Sequence, residues 1–538
     1  MPPVEDLRDA VEAAAADLRN GAAPLPARPT LERPRKAGFG DFSTNAAMLL
    51  APALKAPPRE IAERLGQKLT ERLGSRLDRV EVAGPGFLNI FLADAWYTAA
   101  AAEVLAAGDG YGGGQADPRE RIQVEFVSAN PTGPLTAASA RHAAYGDALA
   151  RLLEFAGHEV GREYYFNDAG AQLLKLGTSI LARARGEEVP EDGYKGDYVA
   201  ELANELENAA ERDPEDLASA GGKLMIERIQ ATLERYRVHF DVWFSERSLH
   251  DGAIERALAR VEAAGHSYRS EGALWLRTTE FGDGQDQVIV RSNGVPTYFA
   301  ADIAYLEDKL ERGFERLITP LGADHHGYVA RMKAAMAASG ADPDHMEIPL
   351  LQFVHLVEGG SRASMSKRRG DFITLDDLLD EIGVDATRFF MLQRSQDSTV
   401  DLDLELAVKQ QPENPVFYVQ YAHARTAAIL REIGDARVEE ALGWSGRVEH
   451  HPSQRELVLK LVAFPDEAAE AAARRAPHRI AVYALELART FAAFYRDCHV
   501  KNAETEDLKS FRIRLTIVTK RTLGSALGLL GVSAPDSM

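Results

Sequence analysis

Residues 121–166 constrain the fold more than any other stretch of this chain. In "RIQVEFVSAN" the apolar residues Ile122, Val124 and Phe126 alternate, which is the period of a β-strand. Asn130-Pro131-Thr132-Gly133-Pro134 must then leave the strand, because prolines and glycine break its ladder. Beyond Ala137 the apolar positions Tyr145, Ala148, Leu149, Leu152, Leu153 and Ala156 follow helical spacing, and Gly157 is a natural stop. "HEVGREYYFND" reads as a second strand. Strand, turn, helix and strand make a βαβ unit, so the chain is expected to build a parallel sheet with helices on its faces. In such sheets ligands sit where strands end and helices begin. A helix start offers N–H groups and a partial positive charge, which suit phosphate. Thr136 can cap that helix, with Ser139 in its first turn, and Gly133 with the small pair Ala137-Ala138 leaves room for a bulky ligand. A plain capped helix explains this stretch equally well.

The rest of the chain organises around that unit. Residues 1–20 read as a helix, a Pro-rich passage follows, and Asp41 or Ser43 can cap a helix starting near Thr44. "RVEVAGPGFLNIFLA" alternates like two strands around a Gly-Pro-Gly turn. Residues 1–112 are therefore expected to form a small α+β domain, with "GDGYGGGQADP" as a linker. Residues 118–404 are expected to hold the α/β sheet, with a mostly helical insertion at about 171–270. Residues 405–538 read as a helical bundle, with helices at 416–433, 454–475, 478–498 and 508–530. The predicted class is multidomain α/β.

Composition narrows the partners. The single cysteine, Cys498, excludes an internal disulfide and any multi-Cys metal site. No run approaches 18 apolar residues, and the acidic N-terminus lacks the basic start and apolar core of a secretory signal, so a cytoplasmic protein without a membrane span is expected. The formal net charge of −20 argues alone against nucleic acid. Yet "KSFRIRLTIVTKR" (509–521) holds five basic residues and no acidic one, and "RASMSKRR" (362–369) holds four and none, so an anionic ligand is favoured over two solvated faces.

"VEFVSANPTGPL…ARHAAYGDALARLLEFAGHEVGREYYFNDAGAQ" resembles the start of the catalytic domain of the bacterial arginyl-tRNA synthetase family, among the class I aminoacyl-tRNA synthetases. "GFGDFSTNAAM" and "GPGFLNIFL" resemble that family's N-terminal tRNA-contacting domain, "TYFAADIAYLEDK" and "GADHHGYVARMKAA" its later catalytic blocks, and "NPVFYVQYAHAR" the start of its anticodon-binding bundle. One departure stands out. Thr136, Ala137, Ala138 and Ser139 occupy the place of the family's His-x-Gly-His, and Ser364-Met365-Ser366-Lys367 that of Lys-Met-Ser-Lys.

The resemblance implies ligation of L-arginine to tRNA(Arg) through an arginyl-adenylate, with ATP as co-substrate and Mg²⁺ held mainly by its phosphates. It implies that Glu125 and Asn130 hold the polar ends of arginine and that Tyr298 and Asp302, one helical turn apart, meet the guanidinium. Thr136 and Ser139 would keep a hydroxyl donor at each lost histidine, aided by His142 or Arg141 and by Lys367. Gly133, Met365 and Ser366 would line the nucleotide site, and Asp324, His325 and His326 would face adenine or ribose. The histidine pair lacks a third close ligand for a metal reading. In the bundle, Tyr418, Phe494 and Tyr495 among Arg425 and Lys501 would meet unstacked anticodon bases, unless the rings are core and the cations surface. A monomer is expected. Two other readings remain: a non-catalytic relative that binds arginine or tRNA, for which the missing histidines speak, and a different adenylating enzyme on the same fold.

Overall fold

A computed structural model of the chain describes residues 2–19, 26–34, 36, 38–168, 170–359, 361–362 and 373–538. The stretch carrying Met365, Ser366 and Lys367 lies outside the described residues. Among those described, no helix is long and apolar enough to cross a membrane.

The N-terminal domain forms as its patterning requires. Helix α1 (Pro3–Arg19) buries Val4, Leu7, Val11, Ala14 and Leu18, a helical stripe. Strands β1 (Phe42–Thr44), β2 (Leu77–Ala83) and β3 (Phe87–Leu92) make an antiparallel sheet in the order β1-β3-β2. Helices α2 (Ala46–Leu54), α3 (Pro58–Leu73) and α4 (Asp94–Ala107) complete the domain. The expected cap is corrected. Residues 42–44 are strand and α2 follows Asn45, while Asp41 accepts bonds from the Leu92 amide (2.7 Å) and the Tyr97 hydroxyl (2.6 Å).

The central sheet is parallel. Strand β4 (Arg121–Glu125), helix α5 (Ser139–Ala156) and β5 (Glu159–Phe166) form the anticipated unit. Helices α6 (Ala171–Arg185), α7 (Asp197–Glu205) and α8 (Pro214–Arg235) lead to β6 (Val242–Ser245), which pairs with β5 as an edge strand. The insertion expected over 171–270 is thus helical only to Arg235 before the chain returns to the sheet. After α9 (Ala253–Ala263), strands β7 (Ser267–Ser270), β8 (Ala273–Leu276) and β9 (Gln287–Val290) form a small antiparallel sheet. Helix α10 (Tyr298–Glu311), β10 (Arg316–Ile318), β11 (Leu321–Gly322), α11 (His326–Ala338) and β12 (Met346–Glu347) close the domain's core. The sheet order is β12-β10-β4-β5-β6. The chain runs from β4 to one side and returns through β10 on the other, so a crevice opens beyond the carboxyl ends of β4 and β10.

Short strands β13 (Leu350–Leu351), β14 (Val354–Glu358), β15 (Ser361–Arg362) and β16 (Val400–Asp403) flank helices α12 (Leu375–Ile382) and α13 (Val384–Leu392). The bundle holds α14 (Leu404–Ala407), α15 (Pro415–Ile433), α16 (Asp435–Leu442), α17 (Pro452–Val462), α18 (Phe464–Ala473), α19 (His478–Asp497) and α20 (Glu506–Leu529). The helix expected over 454–475 is broken at Ala463, with Pro465 in the first turn of α18. The basic run 509–521 is largely spent inside the bundle. Arg512 bonds the His499 carbonyl and Glu504, while Arg514 bonds the Ala441 and Leu442 carbonyls at the end of α16.

Candidate active site

The site begins with a strained turn. Val127 (φ +69°) and Ser128 (φ +43°) are left-handed, a conformation costly for a β-branched residue. The neighbourhood enforces it. Ser128 Oγ donates to Glu125 (2.9 Å) and accepts from the Tyr165 amide (3.2 Å), and the Ala129 amide and carbonyl both bond the Tyr164 hydroxyl (3.1 and 2.8 Å). The kink takes the chain out of the sheet directly after Glu125, leaving that carboxylate at the crevice floor. A cavity of about 410 Å³ opens there, lined by Glu125 and Ser128, by Ser139 and His142, and by Asp324 and His325.

Three carboxylates from three elements gather around the end of β4. Glu125, 8% exposed, accepts a 2.6 Å bond from Lys309 Nζ on α10. Glu246, just past β6 and 6% exposed, accepts a 2.5 Å bond from the Tyr165 hydroxyl. Asp302 on α10 is pushed up to about 6, first by burial and then by the charges of Glu246 and Glu125, against the Tyr328 hydroxyl bond that favours its ionised form. Beneath them burial opposes the charge of Glu163, but bonds from Arg312 (2.5 and 2.9 Å) and Tyr305 (2.5 Å) and the charge of Lys309 carry it below the usual range. Tyr298, at the start of α10, is 67% exposed. It shares a second cavity of about 280 Å³ with Asn130, whose side-chain amide donates to Gln172 (2.8 Å).

The start of α5, expected to hold phosphate, is built differently from that expectation. Thr136 is not a helix cap, because it pairs in an antiparallel bridge with Thr374. The Ala137 amide donates to Ile373 O (2.9 Å) and the Leu375 amide to Leu135 O (2.8 Å), so the altered signature is stitched to the chain just past residues 363–372. Helix α5 starts at Ser139 without a side-chain cap. The Ser139 and Ala140 amides already donate to Thr136 O (2.9 Å) and Ala137 O (3.2 Å), so the tip holds fewer open N–H groups than a bare helix start.

Arg141, 2% exposed, is corrected from a phosphate candidate to a structural residue. It donates to the Gln352 (2.6 Å) and Ser395 (2.8 Å) carbonyls, and burial lowers it to about 10. His142 does reach the cavity, but burial, then the Arg141 cation, lowers it to about 4, so it is a neutral ring at physiological pH and not a cation for phosphate. Gly133 packs against the Tyr198 ring of α7, where a Cβ would meet the hydroxyl at 3.1 Å, and does not line this cavity. Asp324 and His325 do line it, and His326 opens α11, exposed. Among the described residues no cluster of three or more His, Cys, Asp or Glu side chains could hold a metal ion.

In the bundle, Arg425 is sandwiched between the rings of Tyr421 and Tyr495 (5.2 and 5.1 Å to the centroids) and bonds both hydroxyls. Both rings are exposed, and Lys501 is exposed with Glu432 at 3.9 Å. Phe494 is 0% exposed and Tyr418 packs half-buried against the core. Phe494 is therefore corrected from a base-stacking residue to a core one.

Sequence reasoning missed Glu246, Lys309 and Tyr328. Lys309 carried a signal, since it continues the face of α10 that bears Asp302 and Tyr305. Glu246 carried none, because it follows a four-residue strand inside the stretch whose composition reads as a helical insertion.

Three family models match in chain order. They are the arginyl tRNA synthetase N terminal domain over residues 5–92, the catalytic domain of class I tRNA synthetases (R) over 101–192 and 184–410, and the DALR anticodon binding domain over 419–538. Among curated relatives, an arginine–tRNA ligase of Frankia alni is 47% identical over 535 residues, covering 96% of this chain and 95% of that protein. One of Geobacillus thermodenitrificans is 44% identical, covering 94% of each. Among solved structures, a putative arginyl-tRNA synthetase from Campylobacter jejuni gives a TM-score of 0.77 at 33% identity, covering 83% of this chain and 100% of that one. The Thermus thermophilus arginyl-tRNA synthetase gives 0.75 at 24% identity, covering 99% and 100%.

Proposed function

This chain belongs to the arginyl-tRNA synthetase family, and we propose that its altered first signature is the phosphate end of a working active site. The reaction is ATP-dependent arginylation of tRNA. The arginine carboxylate attacks the α-phosphorus of ATP and pyrophosphate leaves. A hydroxyl of the terminal tRNA ribose then takes the arginyl group and AMP leaves. The first step needs no side-chain nucleophile, only alignment and stabilisation of charge on the phosphorus centre.

The residue roles follow from the cleft. Asp302 and Glu246 receive the guanidinium, which presents five donors in a plane, and Tyr298 stands beside it. Glu125, with Asn130 next to it, receives the α-ammonium, which turns the substrate carboxylate toward α5. Thr136 and Ser139 supply hydroxyl donors to the α-phosphate, with Lys367 from the second signature, and Asp324 and His325 face the nucleoside. Mg²⁺ arrives on the ATP phosphates. The bundle takes the anticodon of tRNA(Arg) on the Tyr421–Arg425–Tyr495 platform.

One observation supports this reading: Glu125, which lines the cavity that also holds Ser139, has Glu246 and Asp302 beside it, three carboxylates brought from three elements. Arginine-dependent ATP–pyrophosphate exchange, run with tRNA present, tests it. Exchange is expected, and Lys367→Ala should lower it roughly a hundredfold. Undiminished exchange in that variant would remove Lys367 from the mechanism. Arginine binding with no exchange at all would favour a non-catalytic relative.

A further inference from the structure

On α10, Tyr298, Asp302, Tyr305 and Lys309 follow at four, three and four residues, one stripe that starts exposed at Tyr298 and meets the sheet at Tyr305 and Lys309, which bond Glu163 and Glu125. The last is a lysine with a side chain 4% exposed, its Nζ 2.6 Å from Glu125 and 4.1 Å from the centre of the Tyr305 ring. Lysine is rarely buried without a reason. The groups that face Glu125 are Lys309, Asp302 and Tyr305 from α10, Tyr328 from α11, Tyr165 from β5, and Glu246 beyond β6 through its bond to Tyr165. Glu163 lies deeper and is neutralised by Arg312. Around Glu125 itself three carboxylates against one lysine leave two net negative charges, with His250 3.8 Å from Glu246 and Arg331 beside Tyr328 at the margin of the cluster. Arginine brings two positive groups to this side of the cleft, its guanidinium and its α-ammonium.

We propose that Lys309 is a positioning residue that sets the charge of the arginine pocket, holding Glu125 in place and matching the pocket to a substrate with two cationic ends. This rests on the arginine reading above. Without the lysine, three carboxylates would crowd together, and one would hold a proton until the substrate expelled it. With it, the pocket is ionised and aligned before arginine arrives.

Calorimetric titration of L-arginine into the full chain, in two buffers of different protonation enthalpy, counts the protons exchanged. At pH 7.5 the wild type should bind arginine with almost no proton release. Lys309→Met should bind about tenfold more weakly and release about half a proton or more. Lys309→Arg, which keeps the charge, should restore silent binding. Unchanged affinity in Lys309→Met, or weaker binding without proton release, would overturn the proposal, since a lysine that only packs would not alter proton count. Should Lys309→Met fail to fold, Lys309→Met/Glu125→Gln again leaves two carboxylates. It should bind weakly without proton release, and release there would equally overturn the idea. No heat from arginine with the wild type would overturn the pocket reading and this inference with it.

Discussion

The two ends of the cleft are made by opposite means. The end we assign to arginine is preassembled. Its carboxylates are buried, and Ser128, Lys309, Tyr165 and Tyr328 already engage them. The phosphate end is lined by small residues, its tip amides are partly spent on the chain's own carbonyls, and its histidine is neutral. Charge held in low dielectric is strong but fixed, whereas hydroxyls on a short tip stabilise a transition state less and tolerate replacement. Losses should therefore be largest at the arginine end.

The sharpest way to break this contrast is Asp302→Asn. Removing one partner of a buried charge pair costs about 3–5 kcal/mol, so kcat/KM for arginine should fall roughly a thousandfold in the exchange assay. The same variant should be more stable without substrate. The folded carboxyl, at about 6 against an ordinary 3.8, binds a proton that the unfolded one has lost between those pH values. Stability therefore falls as pH rises through that window, and the asparagine recovers up to about 3 kcal/mol at pH 7.5, readable as a higher Tm. A variant that is inactive and also less stable would mean that Asp302 is structural.

At the other end, Thr136→Ala and Ser139→Ala should each lower kcat about tenfold to a hundredfold with little change in KM for ATP. If both were silent, the replaced signature would have no part in the chemistry and the contrast would become absolute. The pH profile separates the ends more gently. Below about pH 6 kcat/KM for arginine should drop about tenfold per unit as Asp302 gains its proton, while KM for ATP stays level, because His142 does not titrate until about 4. An acid limb shared by both substrates would place a titrating group at the phosphate end.

How much of this could be read in the sequence differs between the same two ends. The strand–turn–helix of residues 121–156 declared itself by period, because period is local, whereas Tyr298 and Asp302 were singled out through the family resemblance of the block that holds them. Lys309 was missed although its place on α10, one helical turn past Tyr305, was a local signal. Glu246 was not legible, since a strand of four residues at a sheet edge shows too few alternations to separate it from the helices before it. The fate of Thr136 was also hidden. Its hydroxyl type suits a cap, but a bridge to Thr374, far along the chain, overrides local preference, as long-range pairing often does. The basic run 509–521 misled because sequence shows charge but not which carbonyls and carboxylates absorb it.

The anticodon end offers the smallest and most local test. Phe494 and Tyr495 are neighbours on α19, yet the buried positions Ile480, Tyr483, Leu487, Phe491 and Phe494 follow helical spacing and leave Tyr495 at its edge. Phe494→Ala should therefore act on the fold, costing about 3–5 kcal/mol through a core cavity, with no selective effect on tRNA. Arg425→Ala should do the reverse. It opens the stack between Tyr421 and Tyr495, and the loss of one stacked, cation-backed base is worth about 1–3 kcal/mol, so KM for tRNA should rise about tenfold with the Tm nearly unchanged. At saturating tRNA the exchange rate should return to the wild-type value, because Arg425 contributes binding and no chemistry. A lasting fall in kcat would mean that the platform also communicates with the cleft, and the two ends would then no longer be the only determinants of rate.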